Sequence, residues 1–164
     1  MFSTIVGKRF NCINRAVDML CLFLGEDYSF AGNHGKGIEV AEYSFHFQTQ
    51  WRFVVDGEIL LAARDIYEPF CENVTGDWQY DVFNQKDEER SLFDVLLSDF
   101  NRKMSCASVT AVSLSSVNDL KITFSNGVVF EQFMLSSRKD EEWRLIDYVN
   151  GEQIVCYDEN DNIL

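Results

Sequence analysis

The chain has 164 residues, 46% hydrophobic and 14% aromatic with a single proline, which excludes disordered and collagen-like classes and fits about one domain with a sizeable core. Its formal charge is −13, from 14 Lys and Arg against 27 Asp and Glu. That field repels phosphate backbones and anionic lipid, so nucleic acid and membrane surfaces are set aside as partners; it would attract a basic protein, although the plainer reading is that the acidity only keeps the protein soluble.

The excess acidity is uneven: −2 over residues 1–63, −5 over 64–105 and −6 over 106–164. The first apolar run is "AVDMLCLFLG", Ala16 to Gly25, preceded by Lys8, Arg9 and Arg15. Asp18 interrupts it and no small-residue cleavage site follows, so it reads as strand and not as a secretory leader. No run approaches the ~20 apolar residues of a membrane span. The five cysteines, at 12, 21, 71, 106 and 156, are odd in number and contain no CxxC. They read as free thiols, and the protein as cytoplasmic, in a reducing compartment.

Next comes "GEDYSFAGNHGKGIEV", read as a glycine-rich loop of about a dozen residues. It lacks the P-loop pattern, because Gly37 follows Lys36 where Ser or Thr is required. "EYSFHFQTQWRF" then alternates, with Tyr43, Phe45 and Phe47 on one face and Ser44, His46 and Gln48 on the other. Asp56-Gly57 marks a hairpin turn, as do Asn126-Gly127 and Asn150-Gly151 later. A long acidic connector, "YEPFCENVTGDWQYDVFNQKDEER", leads into "SLFDVLLSDFNRKM". Leu92, Phe93, Leu96, Leu97, Phe100 and Met104 have helical spacing there, with acids before and bases after, which predicts one amphipathic helix over about 89–104. "DLKITF" and "VVFEQFML" flank the Asn126-Gly127 turn as a strand pair. The tail "DENDNI" has alternating oxygens but no turn glycine and no closing glutamate, so it is not an EF-hand loop.

Two stretches match. Setting Asp18 on Asp119 aligns Met19 with Leu120, Cys21 with Ile122 and Phe23 with Phe124. Trp51-Arg52 then matches Trp143-Arg144, and Gly57-Glu58 matches Gly151-Glu152. This predicts an α+β fold, mainly antiparallel β, in one domain spanning 1–164. Two related β-meander halves, about 9–66 and 106–157, are joined by the acidic loop and the helix as a sandwich or partly open barrel. Trp51 and Trp143 are expected in comparable places.

Chemistry is sparse. His34 lies in the glycine loop and His46 on the polar face of a strand, neither at ligand or triad spacing. No catalytic, cofactor or metal site is assigned. The plainer reading of Arg52 and Arg144 is a structural bridge, to Glu141, Glu142 or Asp18; the sharper one has them framing a cleft at the junction of the halves. The connector carries Asp77, Trp78, Tyr80 and Asp81, acids and aromatics suited to gripping a basic protein. Candidate contact residues are therefore Arg52, Arg144, His46, Trp78, Tyr80, Asp77 and Asp81.

"EYSFHFQTQWRF", "ARDIY" and "LKITFSNG…EEWRL" resemble a family of small uncharacterised bacterial proteins. In these a Y-x-x-H-x-Q strand precedes WR, and an L-x-I-x-F-x-N-G hairpin precedes E-x-W-R. The resemblance implies no established activity and carries no catalytic residue. In size, acidity and β-rich grammar the chain also looks like bacterial toxin-immunity proteins. Three expectations stand: a non-catalytic acidic binding module, such as an immunity protein against a basic toxin; a homodimeric scaffold domain; or a small hydrolase with a carboxylate or His46 site.

Overall fold

A computed structural model describes residues 2–31, 37–72, 74, 78–81 and 89–157. Ten strands run β1 Phe10–Ala16, β2 Met19–Ala31, β3 Gly37–Phe47, β4 Gln50–Val55, β5 Glu58–Ala62, β6 Val109–Leu114, β7 Leu120–Phe124, β8 Val129–Phe133, β9 Trp143–Asp147 and β10 Glu152–Val155. They form two five-stranded antiparallel sheets, ordered β1-β2-β3-β9-β10 and β5-β4-β8-β7-β6. With one α-helix among the described residues, α1 Leu92–Met104, this is an α+β fold, and the sheets do not close into a barrel.

The path has an internal regularity. Each half places its first three strands in one sheet and crosses to the other for its last two. Advancing every strand of the first sheet by five places, with β9 and β10 returning to β4 and β5, reproduces the order of the second.

The alternation of side chains explains why the sheets face each other. Leu20, Leu22, Leu24, Phe45 and Phe47 point inward from the first sheet, and Phe53, Ile122, Phe124 and Phe130 from the second. Phe47 meets Phe130 with ring centroids 4.6 Å apart, and Phe53 meets Phe130 at 4.8 Å. Each fully buried side chain of this size contributes about 1.5–3 kcal/mol. By face, Leu20, Leu22 and Leu24 are the counterparts of Leu120, Ile122 and Phe124. That lies one residue from the alignment that set Cys21 on Ile122, because Cys21 pairs in register with His46 on the opposite face.

The glycine-rich stretch read as a loop is largely strand. β2 and β3 continue past a bulge at which Gly25 and Glu26 oppose Glu42. Gly25 has φ +89°, and a Cβ there would lie 2.2 Å from Glu42 Oε2. Glycine is therefore required, and beyond it pairing resumes at Asp27 and Ala41. The Asp56-Gly57 turn joins β4 to β5, Asn126-Gly127 joins β7 to β8, and Asn150-Gly151 joins β9 to β10.

The helix begins at Leu92, three residues later than the spacing predicts. The Ser91 side chain accepts the Asp94 N–H and fixes the N-cap, leaving Glu89 and Arg90 outside. α1 lies against β1, β5 and the 3-10 turn Ala63–Tyr67. Phe93 packs edge-on to Trp51, and Phe100 packs against Phe10 and Phe53. Asn101 accepts the Ile13 N–H at 2.9 Å and donates to the Ile13 carbonyl at 3.1 Å, supplying the pairing a neighbouring strand would give. No helix among the described residues is long and apolar enough to cross a membrane.

Candidate functional site

The connector is held where β1 ends and α1 begins. Arg15, the penultimate residue of β1, donates Nε to Asp94 Oδ1 at 2.8 Å and an amino nitrogen to Asp94 Oδ2 at 2.6 Å. The same amino group donates to the Tyr80 carbonyl at 2.8 Å, so one guanidinium pins both the helix start and the connector. Asp94 holds Arg15 in its charged form, raising its pKa. Burial alone would raise the Asp94 carboxyl, but the bonds from Arg15 and Ser91 outweigh it and the net shift is downward.

On this base the Tyr67 ring sits edge-on to Tyr80, centroids 4.7 Å apart. The Tyr67 hydroxyl donates to Asp18 Oδ2 at 3.1 Å, across to the β1–β2 turn. Burial, together with Asp18, pushes the phenol up to about 12, so it stays protonated and acts as a donor. Trp78 donates its indole N–H to the Glu89 carbonyl at 2.7 Å. The entry to the connector is tied to its exit: the Phe70 N–H bonds the Arg90 carbonyl, and the Leu92 N–H bonds the Glu68 carbonyl. Tyr67 and Phe70 nevertheless remain 43% and 48% exposed, an aromatic surface on a rigid support. Beside it an open cavity of 320 Å³ is lined by Gln50, Arg64, Tyr67 and Glu68.

Three of the residues singled out from sequence converge here: Trp78, Tyr80 and Asp81, whose charge bears on Arg15. Asp77 lies outside the described residues, as do His34 and the acidic tail from Asp158. The two arginines are not brought together. Arg52 alternates with inward Trp51 and Phe53 on the outer face of the second sheet. It bonds Glu131 at 2.8 Å and lies over the Phe133 ring at 5.2 Å. Arg144 alternates with inward Trp143 and Leu145 on the outer face of the first sheet, paired with Glu141. The two side chains point away from the core on opposite sheets and share no cleft. The bridging reading holds for both, although the partner of Arg52 is Glu131.

His46 stands in register between Cys21 and Arg144 on that same outer face. Burial and then the Arg144 cation lower its pKa, so it is neutral near pH 7. Burial pushes the Cys21 thiol up to about 11, away from the thiolate that nucleophilic chemistry requires. Among the described residues no three His, Cys, Asp or Glu side chains converge as a metal site would need.

Reading the sequence missed Arg15, Asp94, Asp18 and Tyr67 as a unit. Tyr67 stands in "ARDIY", directly after a strand, but nothing local says that it meets a turn 49 residues earlier. The chain matches no family model, no curated protein and no solved structure.

Proposed function

We propose that the protein is a non-catalytic, acidic protein-binding module whose contact surface is the aromatic cluster at the N-terminal end of α1. The observation that carries this reading is the Tyr67–Tyr80 pair: Tyr67 is exposed and held by Asp18, and Tyr80, partly buried against the core and held by Arg15, backs it. Rigid aromatics lose little entropy on binding and make efficient anchors, while a net charge of −13 steers a basic partner toward them. Phe70, Asp81 and Glu68 enlarge the surface with apolar area and charge. An immunity protein that neutralises a basic toxin is the concrete form of this function, and a bacterial cytoplasm is the setting it fits.

The test is growth protection. Co-expression with the basic product of an adjacent gene should restore growth, and Tyr67→Ala with Tyr80→Ala should abolish that protection while lowering the unfolding free energy by no more than about 2 kcal/mol. In vitro, binding should weaken steeply with added salt. Protection that survives the double substitution would remove the assignment of this surface.

A further inference from the structure

Among the described residues, one strand edge is left long and unpaired. The equivalent strands β1 and β6 stand at the ends of their sheets. The edge of β1 is covered along its length. Phe10 donates to the Ala107 carbonyl, Asn101 pairs with Ile13, and Arg15 is locked to Asp94. β5 lies against α1 and the 3-10 turn, and β10 is four residues long and begins with exposed Glu152 and Gln153. These are the usual protections of a sheet edge.

β6 has protection only at its start. The Val109 N–H donates to the Lys8 carbonyl, and the Val109 carbonyl accepts the Gly7 N–H. From Thr110 to Leu114 no described residue pairs with that side. The direction of the unpaired groups follows from alternation. The Ser115 N–H bonds the Asp119 carbonyl, and the register steps from Leu114↔Leu120 to Ala111↔Thr123. Ser113 and Ala111 therefore exchange bonds with β7, while the N–H and C=O groups of Val112 and Leu114 point outward. The strand itself reads Val-Thr-Ala-Val-Ser-Leu, with neither charge nor proline.

A cavity of 240 Å³ opens on the solvent face of the same three strands, lined among others by Ser113, Ser115, Lys121, Glu131 and Phe133. It exists because β7 and β8 part at their ends. The Leu120 N–H bonds the Gln132 side chain, and the Met134 N–H bonds the Asp119 carboxylate. Its size is below the roughly 300 Å³ at which small-molecule sites begin, and suits a single large side chain.

We infer that the open edge of β6 is a second interaction surface, which takes up an extended basic segment of another protein by strand addition. Backbone pairing supplies the attachment, and the neighbouring cavity takes an apolar side chain of the added strand. A second copy is the weaker occupant. Five edge residues bury far less than the about 1,200 Å² of a stable interface, and two copies each carrying −13 repel. Only the basic character of the segment rests on the binding function proposed above; the strand geometry does not.

The experiment uses the full chain and two synthetic hexapeptides, Lys-Val-Thr-Val-Phe-Lys and its Glu-flanked counterpart, with amide hydrogen exchange as the readout. The Lys-flanked peptide should slow exchange over residues 110–114 by about tenfold or more, and the Glu-flanked one should not. Val112→Pro removes an outward N–H and spares the bonds to β7, so the fold should persist and the protection should vanish. Should Val112→Pro unfold the protein, Ser113→Lys decides, by placing a cation on the exposed face against the basic peptide. Tyr67→Ala should leave the protection intact, which separates this edge from the aromatic surface. The inference is overturned by absence of protection, by protection that persists in Val112→Pro or Ser113→Lys, or by its loss in Tyr67→Ala. Protection without peptide that grows with protein concentration would assign the edge to a second copy and also overturn it.

Discussion

The two halves, β1–β5 and β6–β10, follow the same path through the sheets and differ in what has been added to it. The first half extends its β2–β3 hairpin beyond a glycine bulge and ends in the 3-10 turn, the connector and α1. The second half has tight β7–β8 and β9–β10 turns, and beyond Val109 no described residue pairs with the outer edge of β6. The paired tryptophans show the difference at the scale of one side chain. Both are buried and face inward. Trp143 donates its N–H to the Asn118 carbonyl at 3.1 Å and packs on Phe2 and Phe45. Trp51 packs on Phe53 and on Phe93 of α1, and its N–H has no partner among the described residues. A shared backbone path thus leaves room for unlike duties: one tryptophan fastens a turn, the other seats the helix that carries the aromatic surface.

The largest expected effect separates two glycines. Gly25→Ala must accept φ +89° and drive a Cβ into Glu42, whose carboxylate holds Lys8 at 2.8 Å. It should cost about 3 kcal/mol, combining left-handed strain with overpacking. Gly127 has φ +84° but only Val55 Cγ2 nearby, at 3.9 Å, so Gly127→Ala should cost about 1 kcal/mol of strain. Urea unfolding of both variants measures the difference. Equal costs would mean that the bulge is no more constrained than an ordinary turn.

The tryptophans come next. Trp143→Phe leaves the buried Asn118 carbonyl without its donor and should destabilise by about 2–3 kcal/mol. Trp51→Phe removes a donor that bonds nothing described, so its cost should be about half as large, from lost packing alone. If the two costs are equal, the settings are equivalent after all.

Asn101→Ala tests why one edge is covered and the other is not. It strips the side-chain pairing from Ile13, leaving a partly buried N–H and C=O, and should cost about 1–2 kcal/mol. Amide exchange should quicken at Ile13 and not along β6. No change at Ile13 would mean that α1 covers β1 by packing alone.

These contrasts also show which parts of the molecule could be read in advance. The strands, three hairpin turns and the helix follow from periodicity and turn chemistry, both of which act within a few residues. The glycine stretch failed as a loop because a bulge restores pairing after two residues, and bulges need the partner strand, here Glu42, to be recognised. Arg52 was matched to Arg144 by local sequence, but its ion-pair partner, Glu131, lies 79 residues away on a strand that alignment cannot place. The Arg15–Asp94–Tyr80 junction is legible only once β1, α1 and the connector are in space, because each member is unremarkable in its own neighbourhood.

The smallest effect concerns the outer face of the first sheet, where His46 faces Arg144 with no equivalent pair on the second. The ordinary histidine pKa of 6.5 applies to the unfolded chain, and burial followed by the Arg144 cation lowers it in the fold. The folded protein therefore binds fewer protons than the unfolded one below that value. Stability contributed by neutral His46 is full above pH 6.5 and is lost as pH falls through the lower folded pKa. His46→Gln should flatten the unfolding midpoint over this window while leaving carboxylate titration at lower pH intact. Arg144→Gln should return the His46 pKa only part of the way, since burial is the larger cause. A proton NMR titration of the His46 ring in both backgrounds reads this directly, and a pKa unmoved by Arg144→Gln would assign the whole shift to burial. On the second sheet the same position in the pattern is held by Arg52, Glu131 and Lys121, and no histidine stands among its strands, so histidine-linked acid sensitivity in this window should belong to the first sheet alone.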